Sequence, residues 1–312
     1  MNVAITGSHG YIGSVLRKEL TERGYETICC DNKLTLDGDL RYLRNISNES
    51  FDSDHYIDMV IDYDCDTIFH LAASSLLGPS ATDPLLYYYN NTSCTINMIK
   101  KLADRGWQGR IVFSSTAAVY GDQPQAVTED SPLQPCNYYG KSKLACEEAL
   151  SIAHMYGIKT TVFRYFNVAG AYDDVGQDSG EPHIITRICN ATAGRAPLYV
   201  FGNNYPTDDG TCIRDYVHVR DICGAQIFAM ENQVDGTYNL GSHSGTSVYE
   251  IISAFIDTNR KDVEYSFTDR REGDPALLIA NPNKFIDKGF EYKYSQLDTI
   301  VKSAWEYFQN GL

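Results

Sequence analysis

The sequence predicts an α/β protein built on a doubly wound, Rossmann-like parallel sheet with a smaller mixed α/β C-terminal domain, and three observations carry that expectation. A short apolar strand at the N-terminus runs through a glycine loop directly into an amphipathic helix. Strand-like and helix-length segments then alternate to about residue 168. Near Gly170 the texture changes to a loop rich in Asp and Gly, AYDDVGQDSGEPH, which marks a boundary. The expected division is 1–168 and 169–312, with one helix near 219–231 returning to the first domain.

The opening strand, NVAIT, leads into GSHGYIG, in which Gly7, Gly10 and Gly13 are spaced three apart and Tyr11 and Ile12 start the helix. The first glycine permits the tight turn and the second lets backbone approach a pyrophosphate. The third lets helix and strand pack closely, with phosphates over the helix N-terminus. The next strand, ETICC, ends at Asp31, followed by Asn32. A carboxylate there can bond both ribose hydroxyls of an adenosine and would repel a 2′-phosphate, so NAD is favoured over NADP. A plain turn aspartate is the bland alternative.

Residues 33–64 are polar and acidic; a short strand near Phe51 and a helix over Tyr56–Asp62 are expected, with Asp54 as a candidate adenine contact. DTIFHLAAS predicts a buried strand over Thr67–Leu71, with Leu71, Ala72 and Ala73 at its cofactor end and His70 as a packing residue. A helical pattern covers Pro84 to Arg105, interrupted by the poor helix formers Asn90 and Asn91. Asn91 is a candidate for the nicotinamide side, a buried hydrogen bond being the alternative. The strand Arg110–Phe113 then presents Ser114, Ser115 and Thr116, hydroxyls able to meet a substrate oxygen.

NYYGKSKLACEE places Tyr139 four residues before Lys143, one turn apart on one helix face. An ammonium near a phenol favours the phenolate, which makes the tyrosine a proton acceptor. With 23 tyrosines in the chain, roughly one such spacing arises by chance, so the pair gains meaning only from its surroundings. Farther on come a helix (Ile184–Thr192), a strand (Leu198–Phe201) and a loop that brings Arg214, Tyr216 and His218 close in sequence. Arg270 and Arg271 follow, and helices near 247–258 and 295–309 close the chain. Arginines at loop tips in so acidic a chain suit a phosphate-bearing ligand.

The net charge of −15 over 312 residues argues against nucleic acid and anionic membrane as partners. No apolar run approaches the roughly 20 residues of a membrane span. Met1 leads into NVAIT without a signal-peptide pattern, so a cytoplasmic protein is expected. The nine cysteines are scattered, with no zinc-ligand spacing, and read as free thiols with no metal.

GSHGYIG, Asp31, STAAVYGD, YYGKSK, RYFN, GTCIRDYVHV and RREGDP together resemble the extended branch of the short-chain dehydrogenase/reductase superfamily, and within it the epimerases of UDP-sugars, over nearly the whole length. The resemblance implies a tightly bound NAD regenerated in each turnover, and interconversion of UDP-glucose and UDP-galactose through a 4-keto sugar. It implies that Tyr139 is the base, that Lys143 binds the nicotinamide ribose and lowers the phenol pKa, and that Thr116 holds the position of a catalytic Ser or Thr. Asn91, the 71–75 segment, Ser114 and Tyr165 match cofactor contacts. Asn167 and His183 match contacts to the sugar nucleotide, Tyr199 and Phe201 flank the uracil, and Arg214 and Arg271 hold the diphosphate beside Tyr216. Asp274 reaches the uridine ribose, and Leu278 falls where bulk varies with sugar size. The 33–64 region is shorter than usual, and His183 stands where Asn is common. Family members often pair as homodimers through the 84–105 and 137–157 helices. Ala117 and Ala118 stand where a 4,6-dehydratase carries Asp-Glu, which disfavours that reaction. An N-acetylhexosamine epimerase, a reductase or decarboxylase, and a non-catalytic NAD-binding scaffold are the remaining alternatives.

Overall fold

The computed structural model describes residues 1–32, 46–123, 125–271 and 274–311. The chain forms two compact units, one from Met1–Val119, Pro135–Arg164 and Cys223–Tyr238, the other from Tyr120–Gln134, Tyr165–Ile222 and Asn239–Leu312.

In chain order the first elements are β1 (Asn2–Thr6), α1 (Tyr11–Glu22), β2 (Glu26–Cys30), β3 (Ile46–Ser47), α2 (Asp54–Asp62) and β4 (Cys65–His70). There follow α3 (Leu77–Thr82), α4 (Pro84–Tyr87), a π-helical segment (Tyr88–Ser93), α5 (Cys94–Asp104), β5 (Arg110–Thr116), α6 (Tyr138–Ser151) and β6 (Lys159–Tyr165). Later come β7 (Asn167–Ala169), α7 (Ile184–Thr192), β8 (Leu198–Phe201), β9 (Ile213–His218), α8 (Val219–Glu231) and β10 (Gly236–Leu240). The chain closes with β11 (Gly245–Ser247), α9 (Val248–Asn259), β12 (Tyr265–Thr268), β13 (Leu277–Leu278), α10 (Asn283–Ile286) and α11 (Leu297–Asn310).

Seven strands form the main sheet in the order β10-β6-β5-β4-β1-β2-β3. β1 pairs in parallel with β2 and with β4, as do β2 with β3 and β4 with β5. The order reverses between β1 and β4, and an open sheet of this kind binds ligands in the crevice beyond the strand ends at that reversal. β1 and β4 are fully buried in their apolar residues Val3, Ala4, Ile5, Ile68 and Phe69. Such continuous apolar runs are what a parallel strand covered on both faces requires.

Two expectations shift. The strand foreseen near Phe51 lies instead at Ile46–Ser47; Phe51 is a buried residue whose ring sits 4.7 Å from the His70 ring. Residues 33–45 of the same polar segment lie outside the described residues. The single helix expected over 84–105 is broken into α4, a π segment and α5, because Asn90 and Asn91 turn their amides to Ser74 within it. A widened turn of this kind re-aims side chains without ending the helix.

The second unit holds a sheet in which β9 pairs with β11, β13 and β7, and a two-stranded parallel sheet of β8 and β12. Ile188 from α7, Val200 from β8, Phe255 from α9 and Val301 from α11 share its core. Each such fully buried side chain contributes roughly 1.5–3 kcal/mol. Alternation along β9 puts Arg214, Tyr216 and His218 on one face and Asp215 and Val217 on the other. Asp215 is an anchor the sequence reading did not identify. Its buried carboxylate accepts from the backbone N–H groups of Ser242, His243 and Ala280 and from the Ser242 hydroxyl.

Candidate functional site

The glycine loop closes on the reversal point of the sheet. Gly7 has φ +72°, and a Cβ there would lie 2.7 Å from the Ala72 backbone nitrogen. A Cβ on Gly13 would lie 2.0 Å from the Gly7 carbonyl oxygen. Both positions are therefore closed to any side chain by the protein itself. Gly10 differs: a Cβ there would meet nothing nearer than the Gly7 oxygen at 3.4 Å, an ordinary contact. Gly10 also caps α1 without a side-chain hydrogen bond, having no side chain of its own to cover the helix N-terminus. An uncapped N-terminus behind a bare glycine is the cradle a pyrophosphate would fill, so these residues fit a dinucleotide.

Asp31 is buried beyond the end of β2, and its Oδ2 accepts from the His9 N–H at 2.9 Å. It thus fixes the loop as well as marking the expected ribose position, with exposed Asn32 beside it. Leu71 and Ala72 donate their N–H groups to the Thr6 carbonyl (3.1 Å) and hydroxyl (3.2 Å), and Ala73 is exposed. His70 is a packing residue, as expected: its ring bonds the hydroxyls of Thr6 (2.7 Å) and Thr95 (2.8 Å). Burial, aided by the charge of Lys143, pushes it down to about 3.

Asn137 starts α6 by accepting the Gly140 N–H at 2.7 Å, which sets Tyr139 in the first turn. Gly140 lets that turn press against the end of β5; a Cβ there would lie 2.6 Å from the Ala118 carbonyl oxygen. The close approach brings the Tyr139 phenol into a hydrogen bond with the Thr116 hydroxyl. Thr116 Oγ1 also accepts from the Ala118 N–H at 3.1 Å. The threonine keeps its own proton and a second lone pair for the phenol, so it can donate to the phenolate once Tyr139 has given up its proton.

The Tyr139 phenol does not fall below its usual range as the spacing suggested. Burial pushes Tyr139 up to about 12, and the opposing influence is the Thr116 hydrogen bond. The Lys143 ammonium lies 4.3 Å from the Phe113 ring centroid in a nearly sealed position, where burial lowers it to about 8. A cation over an aromatic face keeps part of its stabilisation without water.

Asn91, expected at the nicotinamide, acts as a clamp within the protein. Its Oδ1 accepts the Ser74 N–H (2.8 Å), and its amide donates to the Ser74 carbonyl and the Ser142 hydroxyl, both at 3.0 Å. Both amide hydrogens are thereby committed to fixing the 71–76 segment against α6. Asp54 is a correction of another kind. It lies exposed in the first turn of α2, and its carboxylate is engaged by Lys101 (3.2 Å) and Arg105 (3.0 Å), partners within the protein in place of the expected ligand. Ser114 is buried near the end of β5, and Tyr165 is buried at the end of β6.

The second unit gathers its own cluster. Arg271 lies 4.0 Å from the Phe201 ring centroid and Arg187 lies 5.0 Å from it. Arg187 is held below its usual value by burial and by Arg271. Exposed His183 caps α7, one turn before Arg187, and Tyr199 stands 45% exposed on β8. Arg214 donates to Asp274 at 2.5 Å, so two residues expected on different parts of a ligand are paired with each other. Tyr216 is buried and hydrogen-bonded to Asn167, and Leu278 sits opposite Arg214 in the β13–β9 register. His218 stands apart from this group, bonded through Nε2 to Ser303 at 3.1 Å. Arg187 was missed in the sequence; its spacing from His183 along α7 was the signal. Among the described residues no group of three or more His, Cys, Asp or Glu side chains could hold a metal ion.

Residues 3–241 match the model of the NAD dependent epimerase/dehydratase family. The chain belongs to this family of nucleotide-binding α/β proteins. Among curated relatives it is 37% identical to the UDP-glucose 4-epimerase of Lacticaseibacillus casei, covering 99% of this chain and 97% of that one. It is likewise 37% identical to that of Halalkalibacterium halodurans, covering 98% and 95%. Among solved structures, UDP-glucose 4-epimerase from Brucella ovis in complex with NAD superposes with a TM-score of 0.90 at 35% identity, covering 98% of each chain. The enzyme from Bifidobacterium longum in complex with NAD+ and UDP gives 0.90 at 28% identity, covering 99% and 98%.

Proposed function

We propose that the chain interconverts UDP-glucose and UDP-galactose by oxidising and re-reducing C4 of the hexose, with NAD as a resident cofactor regenerated in each turnover. The observation that supports this reading most directly is the Thr116–Tyr139 hydroxyl pair at the end of β5, followed by Ala117 and Ala118. A phenol with a directed hydroxyl partner suits proton removal from an alcohol, whereas two alanines offer no acid or base for eliminating water.

Gly7, Gly10, Tyr11, Ile12 and Gly13 would hold the pyrophosphate, Asp31 and Asn32 the adenosine ribose. Leu71, Ala72, Ala73, Ser114, Lys143 and Tyr165 would hold the nicotinamide half. When bound, NAD supplies a reversible hydride acceptor and a positive charge. Tyr139 takes the proton of the 4-hydroxyl and returns it after the sugar has turned. Burial, opposed by the Thr116 hydrogen bond, raises the phenol to about 12, so this role draws on added positive charge, part of it the Lys143 cation on the same helix face. Thr116 steadies the phenolate. Arg214 and Arg271 are assigned to the diphosphate, with Asn167, His183 and Tyr216 beside them. Tyr199 and Phe201 are assigned to the uracil, Asp274 to the uridine ribose and Leu278 to the hexose. A firm hold on UDP with few contacts to the sugar lets the 4-keto hexose present either face.

The test is to incubate purified protein with UDP-galactose, without added NAD, and follow UDP-glucose by NMR. Interconversion is expected. Folded, NAD-loaded protein that forms no UDP-glucose would overturn the reading, and a 4-keto-6-deoxy product would replace it with dehydration.

The assembly we infer is a homodimer. Leu85, Tyr89 and Ile96 on the 84–104 stretch, and Ile152, Met155 and Tyr156 after α6, are exposed apolar residues that a second copy would cover. Light scattering at the mass of two chains is the expected result, and a monomer at micromolar concentration would refute it. A cytoplasmic setting completes the proposal, supported by nine free thiols. Among the described residues, no helix is long and apolar enough to cross a membrane.

A further inference from the structure

We propose that Glu147, which the mechanism above does not use, is a positioning residue that holds Lys143 as a cation and locks β5 and β6 to the helix carrying Tyr139. The proposal rests on the assignment of Tyr139 and Lys143 just made. Tyr139, Lys143 and Glu147 follow one another at four-residue spacing along α6, on one face. Glu147 is buried, and two strands converge on its carboxylate. The Ser115 hydroxyl donates to Oε1 from β5. From β6, Arg164 donates through Nε to Oε1 (3.1 Å) and Oε2 (3.2 Å), and through its terminal nitrogen to Oε2 (2.7 Å).

Ser115 is the residue before Thr116. Its bond to Glu147 therefore ties the strand end that presents Thr116 to the helix that presents Tyr139, two turns from the phenol. A buried ion pair is a poor device for stability alone, since apolar residues of similar volume often serve as well. Four hydrogen bonds aimed at one carboxylate instead fix its position.

The titratable groups that face Lys143 are Tyr139, Cys146 and Glu147 on α6 and His70 from β4. Burial pushes the phenol and the thiol up and the imidazole down, so all three stay uncharged near neutral pH. Glu147 brings a carboxylate to that set, ion-paired with Arg164. Burial lowers Lys143 to about 8, and the Glu147 carboxylate acts against the fall. Without the carboxylate, the lysine would lose its proton at a lower pH.

The experiment compares pH profiles of kcat and KM for wild type, Glu147→Gln and Ser115→Ala, with thermal melting of each NAD-loaded protein. Glu147→Gln is expected to shift the alkaline limb of kcat down by about one pH unit while KM for UDP-galactose stays unchanged. Ser115→Ala keeps the carboxylate; it should leave the limb in place and lower kcat severalfold. A folded Glu147→Gln protein with the wild-type limb would overturn the proposal. Should Glu147→Gln fail to fold, Ser115→Ala decides: wild-type kcat would overturn the lock, and a lower kcat at unchanged KM and melting temperature would support it. Wild-type protein inactive on UDP-galactose would instead refute the functional assignment itself.

Discussion

Replacing Gly140 by alanine tests whether the close approach of α6 to β5 sets the chemistry. The new Cβ would lie 2.6 Å from the Ala118 carbonyl oxygen where ordinary contact begins at 3.4 Å, so helix and turn must part by about 0.8 Å. The obstacle is backbone, with no flexible side chain to swing aside. Overpacking of this kind costs about 1–3 kcal/mol, and alanine regains about 1 kcal/mol over glycine in a helix. The melting temperature should accordingly fall by only a few degrees. The Thr116–Tyr139 hydrogen bond spans the same gap, and a displacement near 1 Å in a reacting geometry can cost about a hundredfold in rate. The expected result is a kcat lower by one to two orders of magnitude, measured as UDP-glucose formed from UDP-galactose, with NAD retained. Gly78→Ala is the control, since a Cβ there meets nothing within 4 Å. Wild-type turnover in Gly140→Ala would refute the reasoning.

Three further outcomes follow from the same geometry. Arg214→Met removes a cation paired with Asp274 and should raise KM for UDP-galactose about tenfold or more, with a smaller change in kcat; an unchanged KM would detach Arg214 from the diphosphate. Lys143 sits at about 8 in the fold against 10.5 as an ordinary lysine. The unfolded chain thus holds more protons between those values, and this group's contribution to stability rises with pH across that window. Lys143→Met should flatten that part of the melting profile, and an unaltered slope would contradict the burial argument. His70→Leu strips partners from the hydroxyls of Thr6 and Thr95 and should cost about 1–3 kcal/mol in denaturant unfolding. It should leave the pH dependence of turnover intact, because His70 is neutral throughout; a moved limb would give His70 a part in the chemistry.

The sequence disclosed most readily those features that local pattern determines. Strand, glycine loop and helix follow from residues 2–22 alone, and α7 and β8 fall on the residues expected, Ile184–Thr192 and Leu198–Phe201. Long-range pairing was harder to read. β12 has no buried residue and reads as surface, since its place is set by parallel register with β8. The π segment depends on Asn90 and Asn91 finding Ser74, a partner 16 and 17 residues away. Asp54 looked like a ligand because a carboxylate stood near a strand end, and only the fold reveals Lys101 and Arg105 beside it. The Tyr139–Lys143 spacing was legible, yet its electrostatics were not. The spacing fixes a shared face, while the direction of the Lys143 ammonium is set by Phe113 on a neighbouring strand.

The account rests on hydrogen leaving C4 of the hexose and coming back to the same carbon from the other side. The direct measurement uses UDP-galactose deuterated at C4, converted in ordinary water and analysed by NMR and mass spectrometry. The account predicts UDP-glucose that retains deuterium at C4, with no label lost to solvent and no NAD consumed. Product carrying solvent hydrogen at C4 would mean that a proton, and not a hydride, crosses at that carbon, and would contradict the role given to Tyr139 and the bound cofactor.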